Sequence, residues 1–264
     1  MITVNNEDLN IEKIALSGQC FRLNKVEDCW INVVGNKVLK IKENDLYCTK
    51  RDFESFWKPY FDLESDYSYY RHKIPKSDKF LTAAAEYGKG IRILNQDPWE
   101  MLISFIISQR KSIPAIKTSI EALAKYYGEE IGETNDGPIY SFPSVEKLAA
   151  ANESTLSKCG LGYRVDYIKC ASKMVANGTL DLNSLYKLSD EDLLNELLKV
   201  KGVGIKVANC VSLFAYHRID AFPIDVWIAR ALEENYNNNF PLDRYKGFAG
   251  IIQQYMFFYK RNNG

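Results

Sequence analysis

Over the first fifty residues the apolar positions fall in short runs broken by turn residues: Cys20-Phe21-Arg22-Leu23, Trp30-Ile31-Asn32-Val33-Val34, Lys37-Val38-Leu39-Lys40-Ile41 and Leu46-Tyr47-Cys48-Thr49. Runs of this length, with Gly35-Asn36 between two of them, predict antiparallel strands joined by tight turns. From about residue 52 the period lengthens: Phe53, Phe56, Trp57 and Tyr60 recur at three- and four-residue spacing, as on one face of a helix. Asp97 followed by Pro98 and the apolar stretch Met101 to Ile107 marks the start of a buried helix, with Asp97 as N-cap and Pro98 in the first turn. Further helices are predicted over 144–151, 163–177, 190–199, 204–216, 225–234 and 247–260. The pattern predicts an α+β fold: a small N-terminal portion built on an antiparallel β-sheet, followed by a mainly α-helical body.

Composition changes this picture in three places. With 264 residues and 46% hydrophobic positions, the chain can bury a large core. Thirty-four basic residues balance thirty-four acidic ones, so any surface for nucleic acid must be local rather than spread over the chain. The six cysteines (Cys20, Cys29, Cys48, Cys159, Cys170, Cys210) form no C-x-x-C pair and there are only two histidines, His72 and His217, so no metal site and no iron–sulfur cluster is expected. No basic N-terminal region leads into an apolar run, and no stretch approaches a membrane span. The expectation is a cytoplasmic protein with reduced thiols and no membrane contact.

The densest chemistry lies in Leu197-Leu198-Lys199-Val200-Lys201-Gly202-Val203-Gly204-Ile205-Lys206-Val207-Ala208. Two glycines around one small apolar residue let a turn bring backbone N–H groups close to a phosphate, with a helix N-terminus behind them. An ordinary helical hairpin with a glycine turn is the plainer reading of such a string; the flanking leucines and the Lys-Val-Ala continuation favour the phosphate clamp. Lys206 falls in the first turn of the second helix, where the dipole disfavours a cation. A lysine there is commonly a solvated surface residue, but the position suits an amine that must be uncharged to act as a nucleophile. Asp225 reads first as the N-cap of the helix beginning at Val226, and a carboxylate held by backbone N–H groups can also stabilise a developing cation. Tyr163-Arg164, after Gly160-Leu161-Gly162, places an aromatic and a forked donor at a helix start; a packed tyrosine beside a surface arginine is the local alternative to insertion into a duplex. Gln253 and Phe257 share one helix face, on a helix that also reads as partly core.

Together these residues resemble the helix–hairpin–helix DNA glycosylases, and among them the 8-oxoguanine DNA glycosylases of Ogg type, which implies an N-terminal antiparallel β-sheet domain over residues 1–77 and a mainly α-helical, two-lobed body over 78–264 with the helix–hairpin–helix near 190–215. The similarity spans nearly the whole chain: Ser17-Gly18-Gln19-Cys20-Phe21-Arg22, Gln96-Asp97-Pro98-Trp99-Glu100, Gly204-Ile205-Lys206-Val207-Ala208-Asn209-Cys210 and Pro223-Ile224-Asp225-Val226 stand as the family's segments do. The resemblance implies that a flipped nucleotide enters a pocket, Lys206 attacks C1′ of its sugar and forms a Schiff base, Asp225 stabilises the developing positive charge, and β-elimination cuts the strand. It implies a base pocket of Gly18, whose carbonyl reads the N7 hydrogen of 8-oxoguanine, Gln253 on the Watson–Crick edge, and Phe257 and Cys210 on the two faces of the ring. DNA-binding roles fall to Arg110, Tyr163, Arg164, Gly202, Val203, Gly204 and Trp227.

Four positions depart from the family pattern. Arg110 stands where the family has an asparagine that fills the gap left by the flipped base, and Ala115 replaces a residue that often contributes an arginine. Relaxed selectivity for the opposite base is expected, with Arg164 left to bond cytosine. Trp227 replaces a phosphate-contacting histidine of animal relatives, and Lys201 a common proline. The expected activity is that of a bifunctional glycosylase and AP lyase, acting as a monomer on duplex DNA containing damaged bases. No cofactor is required; the resemblance leaves room for a monovalent cation bridging the hairpin carbonyls to phosphate. The competing expectations are an alkylated-purine glycosylase of the same fold, which Lys206 disfavours, and a non-catalytic DNA-binding module.

Overall fold

The computed structural model describes residues 1–264. A five-stranded antiparallel sheet in the order β1-β5-β4-β3-β2 is built from Ile2–Thr3 (β1), Leu23–Val26 (β2), Cys29–Val34 (β3), Lys37–Lys42 (β4) and Asp45–Tyr47 (β5). Two-residue turns join β2 to β4 in sequence, with Val26 opposite Cys29 and Val34 opposite Lys37. Gly35 opens its turn at a positive φ of 58°, as the favoured two-residue hairpins require. The sequence pattern predicts sheet across residues 10–50, but part of this stretch is not sheet. Ile11–Leu16 is a helix (α1), because Ile11, Ile14 and Ala15 fall on one face and bury against the sheet. The run from Cys20 to Leu23 becomes strand only at Leu23.

Lys50–Asp52 (α2), a π-helical turn over Phe53–Trp57 and Lys58–Tyr60 (α3) follow as one continuous rod that lays Trp57 and Tyr60 on the sheet. Tyr67–His72 (α4) and Lys79–Tyr87 (α5) lead to Pro98–Ser108 (α6), whose residues Trp99 to Ile107 are all buried. Asp97 caps α6 by accepting from the Glu100 amide at 2.8 Å, as its sequence signal predicts. Ile113–Tyr127 (α7) is followed by a small hairpin, Glu130–Thr134 (β6) and Gly137–Tyr140 (β7), inside a region whose pattern predicts only helix. Then come Val145–Ala149 (α8), Glu153–Lys158 (α9), Arg164–Ala176 (α10), Asp190–Leu198 (α11), Ile205–Phe214 (α12), Val226–Tyr236 (α13) and Ala249–Asn263 (α14).

Two apolar cores result. Twelve buried residues lie under the sheet, and fifty-one fill the helical body around α6, α12 and α14. Two buried arginines bind them together. Arg22, 1% exposed, leaves the sheet to meet Glu121 of α7 and the Tyr140 carbonyl of β7. Arg92, equally buried, donates to the carbonyls of Phe61 and Ser65 while its guanidinium lies 4.1 Å from the Tyr67 ring centre. No helix is long and apolar enough to cross a membrane.

Candidate active site

The helix–hairpin–helix is formed by α11, the turn Lys199 to Gly204, and α12. Gly202 has φ +83°, and the Tyr167 ring of α10 covers it so closely that an added Cβ would come within 2.3 Å of a ring carbon. Glycine is required there on both counts. The Val203 amide is turned inward, donating to Val200 O at 2.9 Å, and Gly202 O accepts from Gln109 Nε2 at 3.0 Å. The free donors come later. Gly204 is the N-cap of α12 and has no side chain to cap it, so the first-turn amides of Ile205, Lys206 and Val207 meet no acceptor in the chain. A helix start of this kind attracts an anion.

From the same first turn, Lys206 enters a cavity of about 680 Å³. Its walls come from the Ser17–Gly18 loop, the junction of α6 and α7, α12, the start of α13, and α14. The Lys206 amine lies 5.6 Å from the ring centre of Phe105. Asp225 lines the same cavity and caps α13: Oδ1 accepts from the amides of Trp227 and Ile228 at 3.0 and 2.9 Å, leaving Oδ2 without a donor in the chain. Cys210, one turn beyond Lys206, is 4% exposed, and burial pushes its thiol above the usual range so that it presents a neutral face.

Across the cavity stand Gly18, Gln253 and Phe257. Gly18 has φ +76°, and a Cβ there would lie 3.2 Å from both Ile113 and the Phe257 ring, so the loop and the ring are in close contact. Gln253 is 4% exposed and donates Nε2 to Pro223 O at 2.9 Å. A carbonyl can only accept, so the orientation of this amide is fixed, and Oε1 is left buried without a donor. An orphaned acceptor in a cavity is aimed at a donor that must come from outside.

Eight of the sequence-predicted residues therefore line one cavity: Gly18, Arg110, Lys206, Cys210, Asp225, Trp227, Gln253 and Phe257. Tyr163, Arg164, Gly202, Val203 and Gly204 lie outside it. Tyr163 is 52% exposed, whereas Arg164 is 6% exposed and packs beneath it, its guanidinium 4.4 Å from the ring centre. Arg164 is thus not the surface arginine of the local alternative: it donates to Leu161 O at 3.2 Å and to Gln109 O. Arg110 is exposed and holds φ +51°, a left-handed conformation uncommon outside glycine and asparagine. Among the cavity residues that the sequence pattern does not single out are Gln254 and Arg261 of α14. Their partners are at the other end of the chain, which no local signal reveals. No group of three or more His, Cys, Asp or Glu side chains could hold a metal ion.

Residues 1–102 match the family model of the 8-oxoguanine DNA glycosylase N-terminal domain, and residues 103–242 that of the HhH-GPD superfamily of base excision DNA repair proteins. The chain belongs to the HhH-GPD superfamily. Within it, the chain is similar to a probable N-glycosylase/DNA lyase of Methanothermobacter thermautotrophicus, 29% identical over 77% of this chain and 72% of that one. An N-glycosylase/DNA lyase of Saccharomyces cerevisiae is 40% identical over 62% of this chain, but over only 46% of the yeast protein. Among solved structures, the Clostridium acetobutylicum 8-oxoguanine glycosylase/lyase, in complex with duplex DNA carrying cytosine opposite 8-oxoguanine, superposes with a TM-score of 0.90 at 33% identity. That match covers 98% of this chain and 94% of the other. The HhH-GPD match ends before α14, so Gln253 and Phe257 rest on the fold and the cavity rather than on that model.

Proposed function

We propose that the protein is a DNA glycosylase and AP lyase that removes 8-oxoguanine from duplex DNA in base excision repair. The observation that carries this reading is the cavity itself: a lysine, a carboxylate and an orphaned amide oxygen face one space large enough for a flipped nucleotide. The free amides at the start of α12, with Gly202, Val203 and Gly204 shaping the turn, bind the backbone phosphate next to the lesion. Trp227, at the start of α13, adds a second contact to the strand. A monovalent cation at the hairpin carbonyls would reinforce this clamp, and the chemistry needs no other cofactor.

Lys206 Nζ attacks C1′ as the bond to the base breaks, and the base leaves with the bonding electron pair. Asp225 Oδ2, not engaged by the chain, stabilises the positive charge that develops on the sugar. The amine then opens the sugar to a Schiff base; loss of the C2′ proton expels the 3′ phosphate and cuts the strand, and hydrolysis returns the lysine. In the base pocket, Gln253 Oε1 is an acceptor and therefore suits the N1–H and exocyclic N–H donors of a guanine rather than the unprotonated N1 of adenine. Phe257 and Cys210 hold the two faces of the ring, and Gly18 O accepts the N7 hydrogen that only the oxidised base carries. Tyr163 and Arg110 occupy the gap in the duplex, and Arg164 serves DNA binding from beneath Tyr163, whose ring it supports. Residues 1–77 act as the β-rich unit that supplies Gly18, and 78–264 as the helical body; the protein works as a monomer, in the cytoplasm with its DNA.

Borohydride reduction with duplexes carrying 8-oxoguanine opposite each of the four bases tests this reading. Covalent trapping that is lost in Lys206→Gln is expected. Base release without trapping would favour the alkylated-purine class, and no release from any damaged duplex would leave a binding module.

A further inference from the structure

The loop that carries Gly18 is held by side chains on three sides. Arg261 Nη1 donates to Leu16 O at 2.7 Å, Gln254 Nε2 to Ser17 O at 2.5 Å, and Gln96 Nε2 to Gln19 O at 2.8 Å. Gln19 adds its own ties, donating to Arg92 O and accepting from the Leu94 amide at 2.8 and 2.9 Å. Of the four carbonyls from Leu16 to Gln19, only that of Gly18 meets no donor in the chain. Gly18 also lines the cavity, and its φ of +76° belongs to the most permissive of residues. Without anchors on the flanking peptides, the Gly18–Gln19 peptide plane would be free to turn.

We propose that Gln254 and Arg261 are positioning residues that preset the Gly18 carbonyl and thereby set the discrimination between 8-oxoguanine and guanine. This rests on the base pocket described under the proposed function. The two bases differ at N7: the oxidised base offers a hydrogen there, and guanine offers a lone pair. A fixed carbonyl oxygen bonds the first and repels the second, whereas a carbonyl that can turn away tolerates both. Rigidity, more than the mere presence of a carbonyl, creates selectivity. Gln254 follows directly on Gln253, so α14 carries both the group facing the Watson–Crick edge and the clamp on the N7 side.

The test is a ratio of two single-turnover rates: release of 8-oxoguanine opposite cytosine, and cutting at a preformed abasic site opposite cytosine, which needs no base recognition. Gln254→Met keeps the length and removes the donor; Arg261→Met keeps the apolar stem and removes the donor, and Arg261→Lys keeps a donor. The expected result is a ratio lowered about tenfold in both methionine variants, the scale of one net hydrogen bond. Arg261→Lys is expected to keep at least half of the wild-type ratio. In the methionine variants, release of normal guanine relative to 8-oxoguanine should also rise. An unchanged ratio, or two rates that fall by the same factor, overturns the proposal, because a purely structural role lowers both alike. Should the buried Gln254→Met fail to fold, the Arg261 pair decides alone. Wild-type protein that releases no 8-oxoguanine would instead overturn the function on which the proposal rests.

Discussion

At the scale of single residues, Arg110 is the pivot of contact with the opposite strand in the proposed reading. Its left-handed φ of +51° is one that asparagine adopts at low cost and a long side chain does not. The guanidinium is exposed at the cavity rim, while Arg164, the other candidate to reach the unpaired base, is buried against the carbonyls of Leu161 and Gln109. Reaching the duplex would require Arg164 to give up both contacts. Arg110 is thus the cation already in place, and a guanidinium with five donors can bond any base. Arg110→Asn is expected to sharpen the preference for cytosine opposite the lesion severalfold, measured as relative rates with the four opposite bases. It should also raise the urea midpoint, by removing strain worth about 1 kcal/mol. A cytosine preference that is already strong and does not change in the variant would remove Arg110 from this role.

Among the elements, the three sheet hairpins share one geometry: Glu27, Gly35 and Glu43 each open a two-residue turn at φ between 54° and 58°. Only the middle one has the glycine that this backbone favours. Glu43→Gly is expected to stabilise the protein by roughly 0.5–1 kcal/mol, since relief of the left-handed strain outweighs the added freedom of the unfolded chain. A urea midpoint equal to or below wild type would contradict this. The same local logic explains what was legible in the sequence. Asp97 and Asp225 announce α6 and α13 because a cap and an apolar period lie within one turn of each other. Lys206 and Asp225 could be singled out for the same reason, since each belongs to a short motif. The helix α1 was not legible, because six residues hold too little of a period to stand out from a strand. The β6–β7 hairpin has few apolar residues beyond Ile131 and Ile139, so its Asn135-Asp136-Gly137 turn lacked flanking alternation. Gln254 and Arg261 clamp residues 237 and 245 positions away, a relation that exists only after folding.

Across the whole molecule the equal numbers of acidic and basic residues conceal a local imbalance: Arg110, Lys111, Lys206 and Arg261 surround the cavity with Asp225 as the lone carboxylate. The opposite situation holds at the seam between sheet and body. There Glu100, in the first turn of α6, is 7% exposed, and burial raises its carboxyl to about 8, with Arg22 opposing the shift. The Nη1 of Arg22 and both amide atoms of Asn32 are buried without partners in the same part of the fold. Glu100 is therefore expected to keep its proton in the folded protein at neutral pH, while in the unfolded chain it ionises near the ordinary glutamate value. Between those two values the folded state holds the extra proton, so stability falls as pH rises and levels off once pH exceeds about 8. A shift of this size corresponds to on the order of 5 kcal/mol as an upper bound. Glu100→Gln keeps the shape of the neutral acid and removes the titration. Its unfolding free energy should vary less than that of wild type between pH 5 and pH 8.5, and at pH 8.5 the variant should be the more stable of the two. Urea denaturation of both proteins at the two pH values measures this directly. Equal pH slopes would mean that Glu100 finds a cationic partner in the folded state and stays ionised at the seam.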